Sequence, residues 1–335
     1  MYKFLVIQTA FTGDVVLATA LIEKLHQHYP DAQIDFLVRK GNEGLLTGHP
    51  YIKEVLVWDK KKGKIKNLVS MAFRVRSNKY THVVNPHRFA SSGFIVMLSG
   101  ASFKAGFDKN PMAWVYTNTI KHVFSDSPDS PITEIERNQL LINSLTNNTP
   151  AFPALYPTEN DFKHVQGYKS KPFVVIAPAS VWYTKQFPAH KWVELIEALP
   201  QTYSVYITGG PGDTALGDSI VNGVKSRQVT NLCGKCNFLQ SAALMRDAAM
   251  NYTNDSAPLH FASAMNAPVT SVFCSTDNRF GFGPVRPNGR IVDTGKTLDC
   301  RPCGVHGHKA CPKGHFKCAE NITNQQLLWW TSKTI

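Results

Sequence analysis

Several turns in this sequence carry residues suited to holding or activating an anionic substrate, and each follows a short apolar run. Phe4 to Ile7 lead into Gln8-Thr9-Ala10-Phe11-Thr12-Gly13-Asp14, ahead of an amphipathic stretch from Val15 to His28. That order places the Asp14 carboxylate at a helix N-terminus above the first strand, where it faces a ligand crevice or serves as a plain helix cap. Thr81 to Val84 end in Asn85-Pro86-His87-Arg88. Arg88 is suited to a phosphate or carboxylate by paired hydrogen bonds, or else lies on a solvated loop. Ser204 to Thr208 end in Gly209-Gly210-Pro211-Gly212-Asp213. Glycines let a backbone approach a ligand closely, and Asp213 either accepts ribose hydroxyls or caps the next helix. Asn254-Asp255-Ser256-Ala257-Pro258 then opens a helix from Leu259 to Met265. The cap residues, the early proline and the free N–H groups make this turn a phosphate site, or an ordinary well-capped turn.

These turns need parallel strands and following helices to aim them, and the chain supplies both. It has 335 residues, enough for two α/β domains, with 43% hydrophobic and 18% charged residues. Residues 1–150 read as one doubly wound domain and residues 173–320 as a second. The stretch from Thr149 to Pro172, with four prolines, reads as the connection. Glu134 to Leu145 is predicted as a helix, residues 108–131 as a loop-rich acceptor lid, and Lys60 to Lys64 as a solvated loop. The opening βαβ lacks GxGxxG and has no acidic residue closing its second strand, which argues against a dinucleotide oxidoreductase. Formal charge is +12, from 36 basic and 24 acidic residues, and suggests an anionic partner. No base-reading signature accompanies it, which argues against nucleic acid. No leader peptide or apolar run of about 18 residues is seen. The expected location is cytoplasmic, with peripheral contact at the inner face of the cell membrane through charge.

Cys300, Cys303, Cys311 and Cys318 give C-x2-C-x7-C-x6-C, the spacing of a tetrahedral structural zinc clip, with free thiols as the other reading. Cys233 and Cys236 read as a chance pair and Cys274 as core.

Taken together, FLVIQTAFTGDVVLATALIEKLHQHYPDAQIDFLV, APASVWYTKQFPAHKWVELI, TGGPGD, and TNDSAPLHFASAMNAPVTSVF with the later FGP resemble glycosyltransferase family 9, the ADP-heptose:lipopolysaccharide heptosyltransferases. The resemblance covers nearly the whole chain, in order. It implies the GT-B architecture: two Rossmann-like domains facing across a cleft, acceptor on the first and nucleotide sugar on the second. It implies Asp14 as the catalytic base, with Thr12, Gly13, His87 and Arg88 on the acceptor side. It places Lys185 on the donor diphosphate as a second catalytic group. Thr184, Gly209, Gly210, Asp213, Asp255, Ser256, Ala257 and His260 complete the donor side. The chain departs from the family at Ala257, where glycine is usual, and at Gln186-Phe187, where Arg-Trp is common. The implied reaction is inverting and needs no cofactor or metal for catalysis. The donor is ADP-heptose or another nucleotide sugar, and the acceptor a phosphorylated lipid-linked oligosaccharide. A non-catalytic relic is the competing reading. Residues 321–335 are expected to form a final helix returning to the first domain, as GT-B chains commonly end.

Overall fold

The computed structural model describes residues 2–61, 63–328 and 330. The chain divides into two compact units: residues 1–124 with 132–156, and residues 125–131 with 157–335. The expected connection at 149–172 therefore holds the break, between Tyr156 and Pro157. Residues 125–131, within the stretch expected as an acceptor lid, group with the second unit; there the Ser125 N–H donates to the Arg279 carbonyl at 3.2 Å.

In the first unit, β1 (Lys3–Ile7), β2 (Gln33–Arg39), β3 (Glu54–Trp58), β4 (His82–Asn85), β5 (Phe103–Phe107) and β6 (Asn118–Ile120) form a parallel sheet. Their order is β3-β2-β1-β4-β5-β6. β1 lies centrally and is buried on both faces, as a continuous apolar run in a parallel sheet must be. Between strands run α1 (Thr12–His28), α2 (Lys64–Ser77) and α3 (Ala90–Leu98), and α4 (Glu134–Leu140) packs on α1. α4 stops five residues short of the expected Leu145.

The second unit opens with α5 (Glu159–Val165). Its strands are β7 (Phe173–Ala177), β8 (Ser204–Ile207), β9 (Val229–Asn231), β10 (Met250–Asn254), β11 (Val269–Val272) and β12 (Gly289–Val292). The order β12-β11-β10-β7-β8-β9 repeats the first unit's pattern, with β7 in the place of β1. α6 (Ala189–Ala198), α7 (Thr214–Gly223), α8 (Phe238–Arg246) and α9 (Ala257–Ala264) are the crossovers. Two short helices, α10 (Lys317–Glu320) and α11 (Asn324–Leu327), follow.

Of the final segment expected to return to the first domain, residues 321–328 and 330 are described. Leu327 is fully buried in the second unit's own core, with Leu328 and Trp330 packed against it. Trp330 Nε1 donates to the Tyr252 hydroxyl at 2.6 Å, tying this end to β10. The apolar bulk of the segment is spent there. Trp329 and residues 331–335 lie outside the described residues.

Candidate active site

Strand order reverses between β1 and β4 in the first unit and between β7 and β10 in the second. Open parallel sheets bind ligands beyond the carboxyl ends of the strands at such reversals. Asp14 and the His87-Arg88 pair follow β1 and β4; Lys185 and Asp255 follow β7 and β10.

In the first unit, Phe11 has no side chain able to cap α1. Asp14 Oδ2 does so instead, accepting the Phe11 N–H at 3.1 Å. Asp14 keeps some exposure, yet its surroundings are dense enough that desolvation dominates its carboxyl. Burial raises the pKa to about 6, with the charge of Glu134 the next cause. The Phe11 N–H, Arg88 and the Asp14 N–H pull it back. Glu134 heads α4 and is itself buried, its Oε2 accepting Nε and Nη2 of Arg137 at 3.0 and 2.8 Å. Arg88 has no hydrogen-bond or ion-pair partner among the described residues, so its guanidinium is free for an anion. His87 is buried, within 3.0 Å of Ser92 Oγ and 3.3 Å of Thr9 Oγ1, and its pKa falls to about 3 through burial, Lys60 and Arg88. It is a neutral buttress beside Arg88. The Thr12 hydroxyl donates to Asn42 Oδ1 at 3.1 Å, and Gly13 lies between it and Asp14 in the first turn of α1. Lys60 corrects the solvated-loop expectation. Its ammonium donates to the Thr9 carbonyl and hydroxyl at 3.0 and 2.9 Å and sits over the Trp58 ring; burial lowers its pKa to about 8.

In the second unit, Lys185 Nζ lies 2.6 Å from Asp255 Oδ2, which also accepts the Thr276 hydroxyl at 2.6 Å. Asn254 joins the two turns, its Oδ1 accepting the Phe187 N–H at 2.9 Å and its Nδ2 donating to the Pro178 carbonyl at 2.6 Å. Ser256 is the N-cap of α9, and Ala257 opens the helix without positive φ, so alanine serves there without strain. Ser256 Oγ is buried and makes no hydrogen bond, and neither does His260 Nδ1. Burial lowers the His260 pKa to about 4, with Asp255 opposing and Lys185 adding to the effect. A neutral imidazole and an open hydroxyl thus sit beside a lysine at a helix N-terminus, a setting for phosphate oxygens. Farther along the sheet, Asp213 Oδ2 accepts the Gly210 N–H at 2.7 Å, the capping role. A Cβ at Gly209 would lie 2.9 Å from the Asp213 side chain, so that glycine is required by local packing. Thr184 is fully buried, with its hydroxyl engaged by Ser275 and His308.

The profile described as Glycosyltransferase family 9 (heptosyltransferase) matches residues 68–312. The chain belongs to glycosyltransferase family 9. Lipopolysaccharide heptosyltransferase 3 of Escherichia coli (strain K12) is 30% identical to it over 290 residues, covering 81% of this chain and 82% of that protein. The family 9 glycosyltransferase of Veillonella parvula superposes with a TM-score of 0.84 at 18% identity, over 99% of this chain and 96% of that one. The ADP-heptose lipopolysaccharide heptosyltransferase II of Escherichia coli superposes at 0.79 and 19% identity, over 99% and 98%. The GT-B class of fold implied by the motifs therefore holds, and this protein is a glycosyltransferase.

The zinc clip expected from the cysteine spacing finds no support in the structure. Among the described residues, no group of three or more His, Cys, Asp or Glu could hold a metal ion. Cys300, Cys303, Cys311 and Cys318 all line one pocket, but as free thiols with separate allegiances. The Cys303 thiol donates to the Cys300 carbonyl at 3.2 Å, while Cys318 is buried in the hydrophobic core. Burial pushes the Cys318 pKa up to about 11, with the neighbouring thiols adding to it. Cys274 is core, as expected. Around these turns the structure adds Glu134, Arg137 and Lys60, which sequence reasoning did not single out. For Glu134 the available signal was Thr133-x-x-Glu136, a capping box announcing an acidic helix start.

Proposed function

We propose that this transferase moves a heptose from ADP-heptose to a lipopolysaccharide inner-core or related surface-glycan acceptor, inverting the anomeric carbon without a catalytic metal. The observation that carries the reading is the Lys185–Asp255 pair at the β7/β10 reversal, next to the open Ser256 hydroxyl and the N-terminus of α9. The 30% identical Escherichia coli relative is a lipopolysaccharide heptosyltransferase, and the superposed Escherichia coli heptosyltransferase II is an ADP-heptose enzyme; both support this reading.

The acceptor hydroxyl gives its proton to the Asp14 carboxylate as its oxygen bonds to the anomeric carbon. The bond from that carbon to the diphosphate breaks on the opposite face, and ADP leaves with the electron pair. The negative charge growing on the diphosphate is met by Lys185, the Ser256 hydroxyl and the Ala257 N–H at the start of α9, which do electrostatically what a metal does elsewhere. Asp255 holds Lys185 in place, and neutral His260 offers a ring nitrogen without bringing charge. The second Asp213 oxygen, beside Gly209 and Gly210, serves a ribose hydroxyl. Arg88, buttressed by His87 and flanked by Thr12 and Gly13 on the acceptor side, takes a phosphate or carboxylate of the acceptor. Among the described residues no helix is long and apolar enough to cross a membrane, and the +12 charge suits peripheral contact with an anionic inner membrane face.

Thermal melting with ADP, UDP, GDP and NAD tests the donor. A rise with ADP alone is expected; a rise with UDP or GDP instead moves the reading to another nucleotide sugar, and none with any of them contradicts it. Turnover is expected to persist in a chelator.

A further inference from the structure

The segment 300–318 is left without a task by the transfer chemistry, yet it is tied to the turn that carries Lys185 by two joints. At the first, the Thr184 N–H and hydroxyl both donate to the His308 carbonyl, at 3.1 and 3.3 Å. The His308 N–H lies 2.7 Å from the Thr184 hydroxyl oxygen, and the Ser275 hydroxyl donates to that oxygen at 3.0 Å. Ser275 in turn accepts the Cys303 N–H on its carbonyl at 2.7 Å, so both ends of the loop 303–308 converge on Thr184. At the second joint, the Phe316 ring stacks on Tyr183 with centroids 5.5 Å apart.

Between the joints, Gly307 presses its backbone against the root of the lysine. Its φ is +73°, and a Cβ there would lie 2.7 Å from Thr184 Oγ1 and 3.2 Å from Lys185 Cγ. Tyr183–Lys185 is a lone 3-10 turn of three residues, too short to hold its own geometry. Lys185 nevertheless reaches Asp255 at 2.6 Å, and Thr184, fully buried, is the anchor beneath it.

We propose that the segment 300–318 is a strap that positions Lys185 for the donor diphosphate, with Thr184 and Gly307 as positioning residues. The inference rests on the reading of Lys185 as the diphosphate contact. Thr184 acts through the lysine: its hydroxyl and N–H are both spent on the strap, and neither is left for a ligand.

The test is calorimetric titration of the full-length protein with ADP, alongside donor and acceptor kinetics, for Thr184→Val, Thr184→Ser, Gly307→Ala and Lys185→Ala. Thr184→Val keeps the shape and removes the hydroxyl. ADP affinity is expected to fall about tenfold, the scale of a lost buried hydrogen bond, and the donor KM to rise with it. The acceptor KM should stay unchanged, and Thr184→Ser should restore binding. Gly307→Ala, strained by its φ and crowding Thr184, should fall in the same direction and stands in if the valine variant does not fold. If Lys185→Ala weakens ADP binding while Thr184→Val and Gly307→Ala bind as the unmodified protein does, the strap is wrong and the diphosphate contact stands. If Lys185→Ala itself binds ADP normally, the diphosphate contact fails, and the strap's purpose with it. Equal losses on donor and acceptor, without rescue by serine, would reduce the segment to general structural support and overturn the proposal.

Discussion

Asp14 holds two jobs at once, capping α1 through one oxygen while keeping a carboxyl whose affinity for protons the surroundings have raised. An acid raised in the folded state is penalised when ionised, so Asp14 draws stability from the fold as pH climbs from its ordinary range to about 6. In the proposed transfer the base works only when ionised, so kcat/KM should rise with pH through about 6 and level off above. Asp14→Asn should lower turnover roughly 10²–10⁴-fold and leave ADP binding intact; turnover near the unmodified level would remove Asp14 from the role. Glu134 gives a finer check. Its charge holds the Asp14 pKa up, and Arg137 beside it would be left unpaired by Glu134→Gln, so both changes favour the ionised form of Asp14. The acid limb of the pH profile should therefore move to lower pH, and an unmoved limb would show that Glu134 does not tune the base. Asp14 and Asp255 could be singled out because each stands in a turn between an apolar run and a helix, a local pattern, whereas Lys185 was named only through the family resemblance. Glu134 and Lys60 were not singled out: one is 120 residues from Asp14 in the chain, and the other takes its meaning from burial against Thr9 and Trp58, which no local pattern displays.

At the scale of elements, the two reversal points explain why so few residues matter. β1 and β7 are continuous apolar runs, and the turns after them had to carry the chemistry. The short edge strands β6 and β12 escaped sequence reading because Asn118–Ile120 and Gly289–Val292 are too short and too polar to stand out. The surface that receives α11 was not legible for another reason. Its apolar bulk was evident, but the surface that receives it is set by tertiary packing, and that surface is the core around Tyr252. Leu327→Ala should therefore cost about 2–5 kcal/mol in the second unit, read from denaturant melting. A loss under about 0.5 kcal/mol, the range of a surface change, would mean that α11 is not anchored there. The zinc reading rested on spacing alone. Spacing gathers the four cysteines into one segment, but it does not decide which sulfur turns into the core.

For the whole molecule, one strand order used twice yields two sheets whose reversal points bear complementary equipment. The first has a carboxylate of raised pKa beside a free guanidinium, suited to an acceptor hydroxyl on an anionic glycan. The second has a lysine, an open hydroxyl and a helix N-terminus, suited to a diphosphate. The proposed inverting transfer calls for both kinds of help, because deprotonation of the acceptor and departure of the diphosphate occur on opposite faces of one carbon. The most direct measurement is transfer from ADP-heptose to a purified, phosphorylated lipopolysaccharide core acceptor, with the linkage of the product read by NMR. The account predicts a heptosylated product whose anomeric configuration is opposite to that of the donor, with Asp14→Asn making almost none. A product of retained configuration, or sugar transfer only from a donor other than ADP-heptose, would contradict it.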